Sequence, residues 1–508
     1  MCWIVWVYSL KHSSEKEGCS LFGSINASDA IIKALKSNKN RWQDGYGISV
    51  LKEDNSIDTF RFKDFNSDVV DFLFERKSSI LALIWHSRYP TSWGNNTSEA
   101  LQPFQHNFDK IEENNEMWFS FSFNGNIVNT KELTTELEEK GYVFKLWGLD
   151  TEVLKFLIID EMENGNTDLK KILETVLGKI DWACNISILD KNGNMAIAKD
   201  GNDLHPLSWW IVDNKFVFSS ESSALTDLWC DKIDFLKPWE IVEVQWGKKP
   251  KKSMLNIKIN KTPCIFELIY FSDKNSSIGN KSVSLKRRRL WQQLALNENK
   301  DLLDKKNSVV IDVPASSLEQ ADWFADGLWI KLLTGAIIKK PNAGRTFIAN
   351  KNDIDALVKE KYFFNPNYRE FIEWKDIYLI DDSIVRGKTI IPLIKLLKEH
   401  YNPRSVHVRI PSPPIFAPCF YCINMSTPDE LIARKYITDI WDLKQEDIES
   451  ISQHIGADSL NYLSVEWLIK VVWKIKMTQT KIRWACMACL TWIYPTKWWK
   501  KRYKELLV

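Results

Sequence analysis

The sequence predicts two domains of different fold class, an α+β domain followed by an α/β domain built on a parallel sheet. The chain has 508 residues, which is too long for a single hydrophobic core. Up to about Asp234, short strand-like segments are interspersed with helices, as in α+β domains. Residues 247–252, a stretch of Gly, Lys and Pro, mark the predicted boundary. Beyond it, apolar strands alternate with helices, which is typical of parallel strands joined by crossover helices.

Runs of apolar residues bounded by turn residues place the individual elements. The first half has predicted strands at residues 2–7, 79–84, 119–123, 185–189 and 215–219, and a predicted helix at 30–36. The second half has predicted strands at 308–313, 376–380 and 405–410, and predicted helices at 318–328 and 389–400. Residues 498–507 are basic and amphipathic, which predicts a helix at the surface.

The composition is that of a soluble globular protein. Hydrophobic residues make up 44% of the chain and charged residues 26%, and the net charge of +2 gives no reason to expect nucleic acid or a membrane surface as a partner. No apolar run approaches the ~18 residues of a membrane span, and residues 1–8 lack the basic lead of a signal peptide. We therefore expect a cytoplasmic location. Nine cysteines in a reducing compartment indicate chemistry or metal binding.

An acidic pair follows the predicted strand 376–380 directly. Asp381 and Asp382 stand at its carboxyl end, where open α/β sheets bind ligands. Their carboxylates suit ribose hydroxyls or the water shell of Mg²⁺. The next residues turn into a helix, whose free N–H groups favour a phosphate. If the acidic pair stood alone, an acidic turn without function would be the alternative interpretation. The nine-residue string that begins with the pair instead favours a site for a metal-bound sugar phosphate. After the pair, this string continues with Ser383, Ile384, Val385, Arg386, Gly387, Lys388 and Thr389.

Cys2 becomes a candidate nucleophile if Met1 is removed. Its α-amino group would then lie beside its own thiol, and such an amine titrates near pH 8. The amine can therefore act as general base for the thiol. Taken alone, a cysteine at position 2 is usually without function.

Strings from Cys2 to about Thr496 resemble the glutamine phosphoribosylpyrophosphate (PRPP) amidotransferase family, in the order in which that family has them. Besides the Asp381–Thr389 loop they are residues 123–126, 263–267, 344–348, 406–410, 412–415, 418–421 and 457–460. The resemblance implies an α+β N-terminal-nucleophile (Ntn) glutaminase sandwich followed by an α/β type I phosphoribosyltransferase domain. We assign residues 2–234 to the first, 255–470 to the second and 471–508 to a C-terminal segment. The implied reaction converts PRPP, glutamine and water into 5-phosphoribosylamine, glutamate and pyrophosphate, the first committed step of de novo purine synthesis.

The resemblance also assigns roles in the first domain, where Cys2 would attack the glutamine amide. Asn124 and Gly125 match the oxyanion donors, one through a side-chain amide and one through a backbone N–H. Arg88 matches the residue that clamps the glutamine α-carboxylate, and Asp150 matches the acceptor for the α-amino group. Arg41 lies in a matching active-site segment.

Cys486 and Cys489 form a C-x-x-C motif, which suits two ligands of one metal site. By itself this motif leaves a zinc site or no site as comparable alternatives. Cys264 and Cys419 lie in strings shared with the branch of the family that carries a [4Fe–4S] cluster. The resemblance therefore implies a cluster held by all four cysteines, with a structural role because neither half-reaction needs electron transfer.

The resemblance further implies a Mg²⁺ site formed by Ser316, Asp381 and Asp382. Ala315 replaces an aspartate of the family there, which removes one carboxylate. The implied partners are PRPP and glutamine as substrates, purine nucleotides as feedback inhibitors, and further copies of the chain in a dimer or tetramer. Two other departures are Phe123 in place of a common histidine, and Asp203 with His205 in a segment that is usually Gly-x-Arg-Pro-Leu.

Tryptophan and glycine contents are both abnormal. The chain has 24 tryptophans and only 19 glycines, where glycine is usually ~7% of residues. The resemblance implies that tryptophan stands in place of a family glycine at sixteen positions, and restoring glycine there makes both contents ordinary. We hypothesise that the source organism reads UGA as glycine, whereas random decay of a pseudoenzyme would not favour one substitution. The positions are Trp3, Trp6, Trp42, Trp85, Trp93, Trp118, Trp182, Trp210, Trp229, Trp239, Trp291, Trp323, Trp329, Trp374, Trp467 and Trp492.

Two other functions are weighed against an active amidotransferase. A non-catalytic homologue would bind nucleotides or purine-pathway enzymes without turnover. A hexosamine synthase would share the glutaminase half, but its second half is a sugar-isomerase domain, which the Asp381–Thr389 loop argues against.

Overall fold

The computed structural model describes residues 3–10, 32, 45–62, 80–87, 98–106, 119–146, 149–257, 261–314, 318–340, 361–421, 428–473, 485–496 and 498–506. Helices and strands are numbered below in chain order within these ranges. The first domain contains two antiparallel sheets, and the second contains one parallel sheet.

The two sheets of the first domain pack face to face. The seven-stranded sheet has the order β11-β9-β10-β1-β4-β2-β3, and the six-stranded sheet has the order β13-β12-β8-β7-β6-β5. Tyr8 and Phe218 from one sheet meet Leu189 and Val242 from the other in a shared core. The strands are β1 (Trp3–Ser9), β2 (Tyr46–Lys52), β3 (Ile57–Phe62), β4 (Ile80–Ser87), β5 (Phe104–His106), β6 (Phe119–Ile127), β7 (Trp182–Asp190), β8 (Met195–Lys199), β9 (Ser208–Val212), β10 (Lys215–Ser219), β11 (Asp234–Phe235), β12 (Glu240–Val244) and β13 (Lys251–Met254).

Helices cover the outer face of each sheet. Helices α1 (Thr130–Glu139), α2 (Asp150–Glu163) and α3 (Leu169–Lys179) pack on the six-stranded sheet, and α4 (Ser222–Asp227) packs on the seven-stranded one. Asp168 caps α3, because its side chain accepts hydrogen bonds from the N–H groups of Lys170 and Lys171. The domain therefore has four layers, in the order helices, sheet, sheet and helix, which confirms the predicted α+β sandwich.

The second domain is a five-stranded parallel sheet with the order β17-β16-β20-β21-β22. The central strands β16 and β20 are mostly apolar and buried, as is typical of strands that are covered on both faces. The elements are α5 (Val283–Leu296), β16 (Ser308–Asp312), α6 (Leu318–Leu328), β17 (Lys331–Leu332), α7 (Arg369–Ile372), β20 (Asp376–Ile380), α8 (Ile390–Tyr401), β21 (Ser405–Ile410), α9 (Gln445–Ile455), β22 (Ser459–Tyr462), α10 (Val465–Trp473), α11 (Ala488–Thr491) and α12 (Trp499–Leu506), with the small hairpins β14 (Ser277–Ile278) to β15 (Lys281–Ser282) and β18 (Ile337–Lys339) to β19 (Tyr362–Phe364).

The predicted elements of the second domain are confirmed, several of them to the residue, including α6, β20 and β21. The boundary predicted at residues 247–252 is wrong. Strand β13 overlaps it and pairs with β12, so the six-stranded sheet runs on to Met254. The lysine-rich turn between β12 and the edge strand β13 has the same composition as a linker, which explains the error. Of the helix predicted at 30–36, only Ile32 lies among the described residues.

Five tryptophans in the described part of the chain have a left-handed backbone. Their φ angles are 59° at Trp229, 58° at Trp239, 58° at Trp329, 59° at Trp374 and 65° at Trp492. The other non-glycine residues with positive φ are all asparagine or aspartate, which tolerate this conformation. A bulky side chain there costs about 1–2 kcal/mol. Five such residues together approach the ~5–15 kcal/mol that stabilises a whole domain.

In the described parts of the chain, no helix is both long enough and apolar enough to cross a membrane.

Two glycines give opposite predictions for the same substitution. A Cβ at Gly47 in β2 would lie 2.3 Å from the backbone oxygen of Gln102, whereas a Cβ at Gly178 in α3 would meet nothing within 4 Å. We expect Gly47→Ala to lower the free energy of unfolding by about 1–3 kcal/mol. We expect Gly178→Ala to raise it by about 0.5–1 kcal/mol through helix propensity. Urea unfolding of both variants checks this, and equal effects would contradict it.

Candidate active site

The acidic loop lies where the strand order of the parallel sheet reverses. Strand β16 pairs with β17 on one side and with β20 on the other, so the sheet has the 2-1-3-4-5 order of doubly wound folds. Ligands bind at the carboxyl ends of the strands at such a switch point. Asp312 ends β16 in register with Ile380, and Asp381 and Asp382 follow immediately. Three carboxylates thus stand at this edge of the sheet.

The loop after the acidic pair closes tightly on the residues around it. Gly387 has a φ of 70°, and a Cβ there would lie 2.3 Å from Cδ1 of Ile432. Arg386 forms an ion pair with Glu430, and the N–H of Ile432 donates to the oxygen of Val385 at 3.1 Å. These contacts fix the loop that leads into α8. Thr389 is the N-cap residue of this helix, so the loop ends at a helix N-terminus, as the sequence predicts.

The electrostatics of this edge favour a cation. Burial, together with the neighbouring charge of Asp382, raises the pKa of Asp381 well above its usual value. Burial also raises the pKa of Asp312. The hydroxyl of Ser383 donates to Asp382 at 2.9 Å. Ionised carboxylates this close repel one another, so positive charge is needed to hold them all in the ionised form.

In the first domain, a serine links the predicted oxyanion residue to the strand that follows Cys2. Asn124 on β6 is 1% exposed, and its Nδ2 lies 3.5 Å from Oγ of Ser220. The same Oγ accepts a hydrogen bond from the N–H of Ile4 at 3.3 Å. The N–H of Ser220 donates in turn to the oxygen of Ile4 at 3.1 Å. No local pattern singles out Ser220, because its contact with Ile4 joins residues more than 200 positions apart.

The side-chain amide of Gln102 bridges β6, the strand of Asn124, and the start of α2. Oε1 of Gln102 accepts from the N–H of Phe123 at 2.6 Å, and its Nε2 lies 3.4 Å from the hydroxyl of Thr151. Asp150, the first residue of α2, accepts from the N–H of Ile127 at 3.4 Å. Strand β6 and the start of α2 are therefore held together, which brings Asp150 to the same end of β6 as Asn124. The sequence analysis missed Gln102.

Four predicted site residues, Cys2, Arg41, Arg88 and Ser316, lie outside the described residues, as does Ala315. Trp3 and Ser87, the described neighbours of Cys2 and Arg88, are register partners on β1 and β4.

Backbone pairing brings the four predicted cluster cysteines into one buried region. The N–H of Cys486 donates to the oxygen of Pro263 at 2.9 Å, and the oxygen of Cys486 accepts from Ile265 at 3.1 Å. This parallel bridge joins Cys486 to Cys264. The oxygen of Cys489 accepts from the N–H of Ala417 at 3.0 Å, which links Cys489 to the segment of Cys419. All four are buried and free of disulfides.

Burial and the neighbouring thiols raise the pKa values of Cys486 and Cys489 well above the usual range. Thiolates at these positions would therefore need a cation. Within the described residues, no group of three or more His, Cys, Asp or Glu could hold a metal ion.

A buried seam joins the two domains near these sites. Nδ1 of His205 lies 3.1 Å from Oε1 of Glu267, and the two side chains are 0% and 1% exposed. The hydroxyl of Ser272 donates to the other carboxylate oxygen at 2.7 Å. Nδ2 of Asn126 donates to the oxygen of Phe420 at 2.6 Å, between β6 and the Cys419 segment. The seam thus connects β6 to the segment that contains Cys419.

Comparison with known proteins identifies the family. A family model described as a glutamine amidotransferase domain matches residues 96–227. The amidophosphoribosyltransferase of Bacillus subtilis is 31% identical over 485 residues, which cover 95% of this chain and 94% of that protein. The chain belongs to the amidophosphoribosyltransferase family. The family member of Pyrococcus horikoshii is 33% identical over 94% of this chain and 97% of its own.

Solved structures of the family have the same fold over their whole length. Glutamine PRPP amidotransferase from B. subtilis, complexed with ADP and GMP, matches with a TM-score of 0.76 and 29% identity, covering 98% of both chains. A structure described as the allosteric regulatory enzyme of purine biosynthesis matches with a TM-score of 0.77 over 98% of this chain. The Ntn glutaminase sandwich and the phosphoribosyltransferase-type sheet are therefore both present.

One buried carboxyl group outside these sites makes stability depend on pH. Burial raises the pKa of Asp200, which follows β8, to about 7. An unfolded aspartate titrates near 3.9. Between these two values the folded protein binds more protons than the unfolded chain, so the free energy of unfolding falls as pH rises.

We expect Asp200→Asn to raise the free energy of unfolding at pH 8 by on the order of 4 kcal/mol and to change it little at pH 4. Denaturant unfolding at pH 4, 6 and 8 measures this difference. Asp54→Asn is the control, because hydrogen bonds from Ser56 lower the pKa of this exposed carboxyl group. A gain from Asp200→Asn that is the same at every pH would show that Asp200 does not titrate in this range.

Proposed function

We propose that the protein is an amidophosphoribosyltransferase, which converts PRPP, glutamine and water into 5-phosphoribosylamine, glutamate and pyrophosphate. The observation that carries the proposal is full-length similarity to named amidophosphoribosyltransferases, combined with an acidic loop at the switch point of the second sheet. The product is the first committed intermediate of purine synthesis.

In the glutaminase half-reaction, the thiol of Cys2 loses its proton to its own α-amine and attacks the glutamine amide. The oxyanion that forms accepts hydrogen bonds from Nδ2 of Asn124 and from the N–H of Gly125. Ammonia leaves, and water hydrolyses the thioester to glutamate. Arg88 and Asp150 hold the α-carboxylate and α-amino groups of glutamine, and Arg41 lies in the same site. Support comes from Asn124, which is buried and linked to β1 through Ser220.

In the second half-reaction, ammonia attacks the anomeric carbon of PRPP and pyrophosphate leaves. Asp381 and Asp382 hold the ribose hydroxyls and, with Ser316, would hold Mg²⁺. Support for a cation comes from Asp312, Asp381 and Asp382, which stand together at this edge of the sheet. The N–H groups of residues 383–389 and the start of α8 bind the 5-phosphate. Bound Mg²⁺ would neutralise the charge that develops on the pyrophosphate.

We propose that the four cysteines hold a [4Fe–4S] cluster. All four are buried, and their segments are hydrogen-bonded together. Cys486 and Cys489 also have the C-x-x-C spacing of two ligands of one metal site. We assign the cluster a structural role, because it would tie residues 485–496 to the second domain.

We further propose that purine nucleotides regulate the enzyme and that it forms a homo-oligomer. The similar B. subtilis structure is complexed with ADP and GMP, which supports the nucleotide part.

Two variants separate the half-reactions. Cys2→Ala should abolish the glutamine-dependent release of pyrophosphate from PRPP and leave the ammonia-dependent release intact. Asp382→Asn should lower pyrophosphate release with either nitrogen donor by 10²-fold or more, because it removes transition-state stabilisation, on the order of 3 kcal/mol. It should leave glutaminase activity measurable. Asp304→Asn, at an exposed ion pair with Arg404, is the control. Glutamine-dependent turnover that survives Cys2→Ala, or nucleotide binding without any turnover, would refute the proposal.

Chemical analysis tests the cluster. Protein purified without oxygen should contain equal amounts of iron and inorganic sulfide, and Cys489→Ser should lose both together with thermal stability. Cys230→Ser is the control, because Cys230 lies outside the cysteine region and is half-buried. Zinc in place of iron, or unchanged iron in Cys489→Ser, would contradict the assignment.

A further inference from the structure

The backbone of this fold requires glycine at five positions where the chain has tryptophan. We infer that the native protein carries glycine at Trp229, Trp239, Trp329, Trp374 and Trp492. All five have φ between 58° and 65°, a region that large side chains rarely adopt. All five also belong to the set in which tryptophan replaces a family glycine, although backbone geometry played no part in choosing that set.

Trp229 follows helix α4 in a Schellman motif. Its N–H donates to the oxygen of Thr226 at 3.0 Å, and the N–H of Cys230 donates to the oxygen of Leu225 at 3.2 Å. This pair of hydrogen bonds defines the motif, and the residue in the position of Trp229 is usually glycine because it must be left-handed.

Trp329 follows helix α6 in the same motif. Its N–H donates to the oxygen of Asp326 at 3.3 Å, and the N–H of Ile330 donates to the oxygen of Ala325 at 3.2 Å. Two helices of different domains thus end in the same way, each with a tryptophan in the left-handed position.

Three other helices of the chain end in this motif with glycine. Gly141, Gly165 and Gly456 follow α1, α2 and α9 with φ of 96°, 83° and 77°. Each makes the same two hydrogen bonds as Trp229 and Trp329. The chain therefore supplies its own comparison, because one motif occurs five times and differs only in the residue at the left-handed position.

Trp374 occupies the third position of a type II turn. The N–H of Lys375 donates to the oxygen of Ile372 at 2.9 Å, and Glu373 has φ −56° and ψ 131°. These angles define the second residue of a type II turn, whose third residue needs positive φ and is therefore usually glycine.

Trp239 stands in the corresponding place of a second turn. The N–H of Glu240 donates to the oxygen of Lys237 at 2.9 Å, and Pro238 precedes Trp239. In type II turns the second residue is commonly proline, and the third, which needs positive φ, is usually glycine.

Trp492 is the fifth position. Its N–H donates to the oxygen of Ala488 at 2.9 Å, which is the single hydrogen bond of an αL helix end.

At three of the five positions, the exposure of the side chain also favours glycine. Trp229, Trp329 and Trp374 are 80%, 81% and 69% exposed. Burial of the indole therefore does not compensate for the strain. Among the described tryptophans, positive φ occurs only at the five positions, and eight others of the sixteen positions lack it. The described tryptophans with no glycine counterpart in the family lack it without exception, and they are Trp209, Trp246, Trp441, Trp473, Trp498 and Trp499.

One cause accounts for all five positions. A codon that the source organism decodes as glycine has been written as tryptophan, and UGA is the codon that standard and variant codes read differently. The gene should therefore have UGA at these five codons and UGG at the codons of the six described tryptophans that have no glycine counterpart in the family. Peptides of the protein isolated from its source cells should contain glycine at positions 229, 329 and 374. UGG at the five codons, or tryptophan in those peptides, would overturn the inference and leave the exposed indoles as candidates for partner contacts.

Substitutions in the full chain test the backbone argument separately. Trp229→Gly, Trp329→Gly and Trp374→Gly should each raise the melting temperature by roughly 2–4 °C. Alanine at the same positions is the matched control, because it removes the indole without relieving the left-handed strain. Gly456→Ala, in the same motif, should lower the melting temperature. Alanine variants as stable as the glycine variants would show that the indole, and not the backbone, limits stability, and would remove the structural basis of the inference.

Discussion

The buried seam between the two domains is the constraint on which the proposed chemistry depends. Ammonia released in the first domain has to reach the second before it escapes to water, so the two sites need a fixed relation. His205 and Glu267 meet across the seam without access to solvent, and Ser272 holds the carboxylate from the other side. Val128 and Leu204 of the first domain pack into the core of the second. Polar pairs buried in this way are costly to separate, because each would be left without its partner.

Each site is built by a different kind of non-local pairing. In the first domain, antiparallel register places Ser220 between β1 and β6, so that one hydroxyl touches both the strand after Cys2 and the amide of Asn124. In the second, the parallel order of β16 and β20 places Asp312 beside the Asp381 loop. Both depend on sheet register, which a slip of one residue would destroy by turning each side chain to the opposite face.

The left-handed positions show how strictly local geometry specifies residue type. Helix ends and tight turns need a backbone that only glycine adopts without strain, and Gly387 shows the same need beside the phosphate loop. Asp203 also has a positive φ, at 61°, in the segment where the family has Gly-x-Arg. Aspartate tolerates that conformation and tryptophan does not, so the departure at Asp203 is ordinary variation and the departures at the five tryptophans are not.

The sequence by itself determined the two fold classes, most element positions of the second domain, and the segments that carry the proposed chemistry. These follow from local patterns, namely apolar periodicity, acidic pairs after strands, and cysteine spacing. Only the tertiary structure decided that Ser220 and Gln102 support the first site. It also decided that the backbones of Cys264 and Cys486 form a parallel bridge, and that the first domain extends to Met254. The physical reason is that these contacts join separate segments of the chain, 21 positions apart for Gln102 and Phe123 and 216 positions apart for Ile4 and Ser220. Register and packing set such contacts, and no local pattern encodes them.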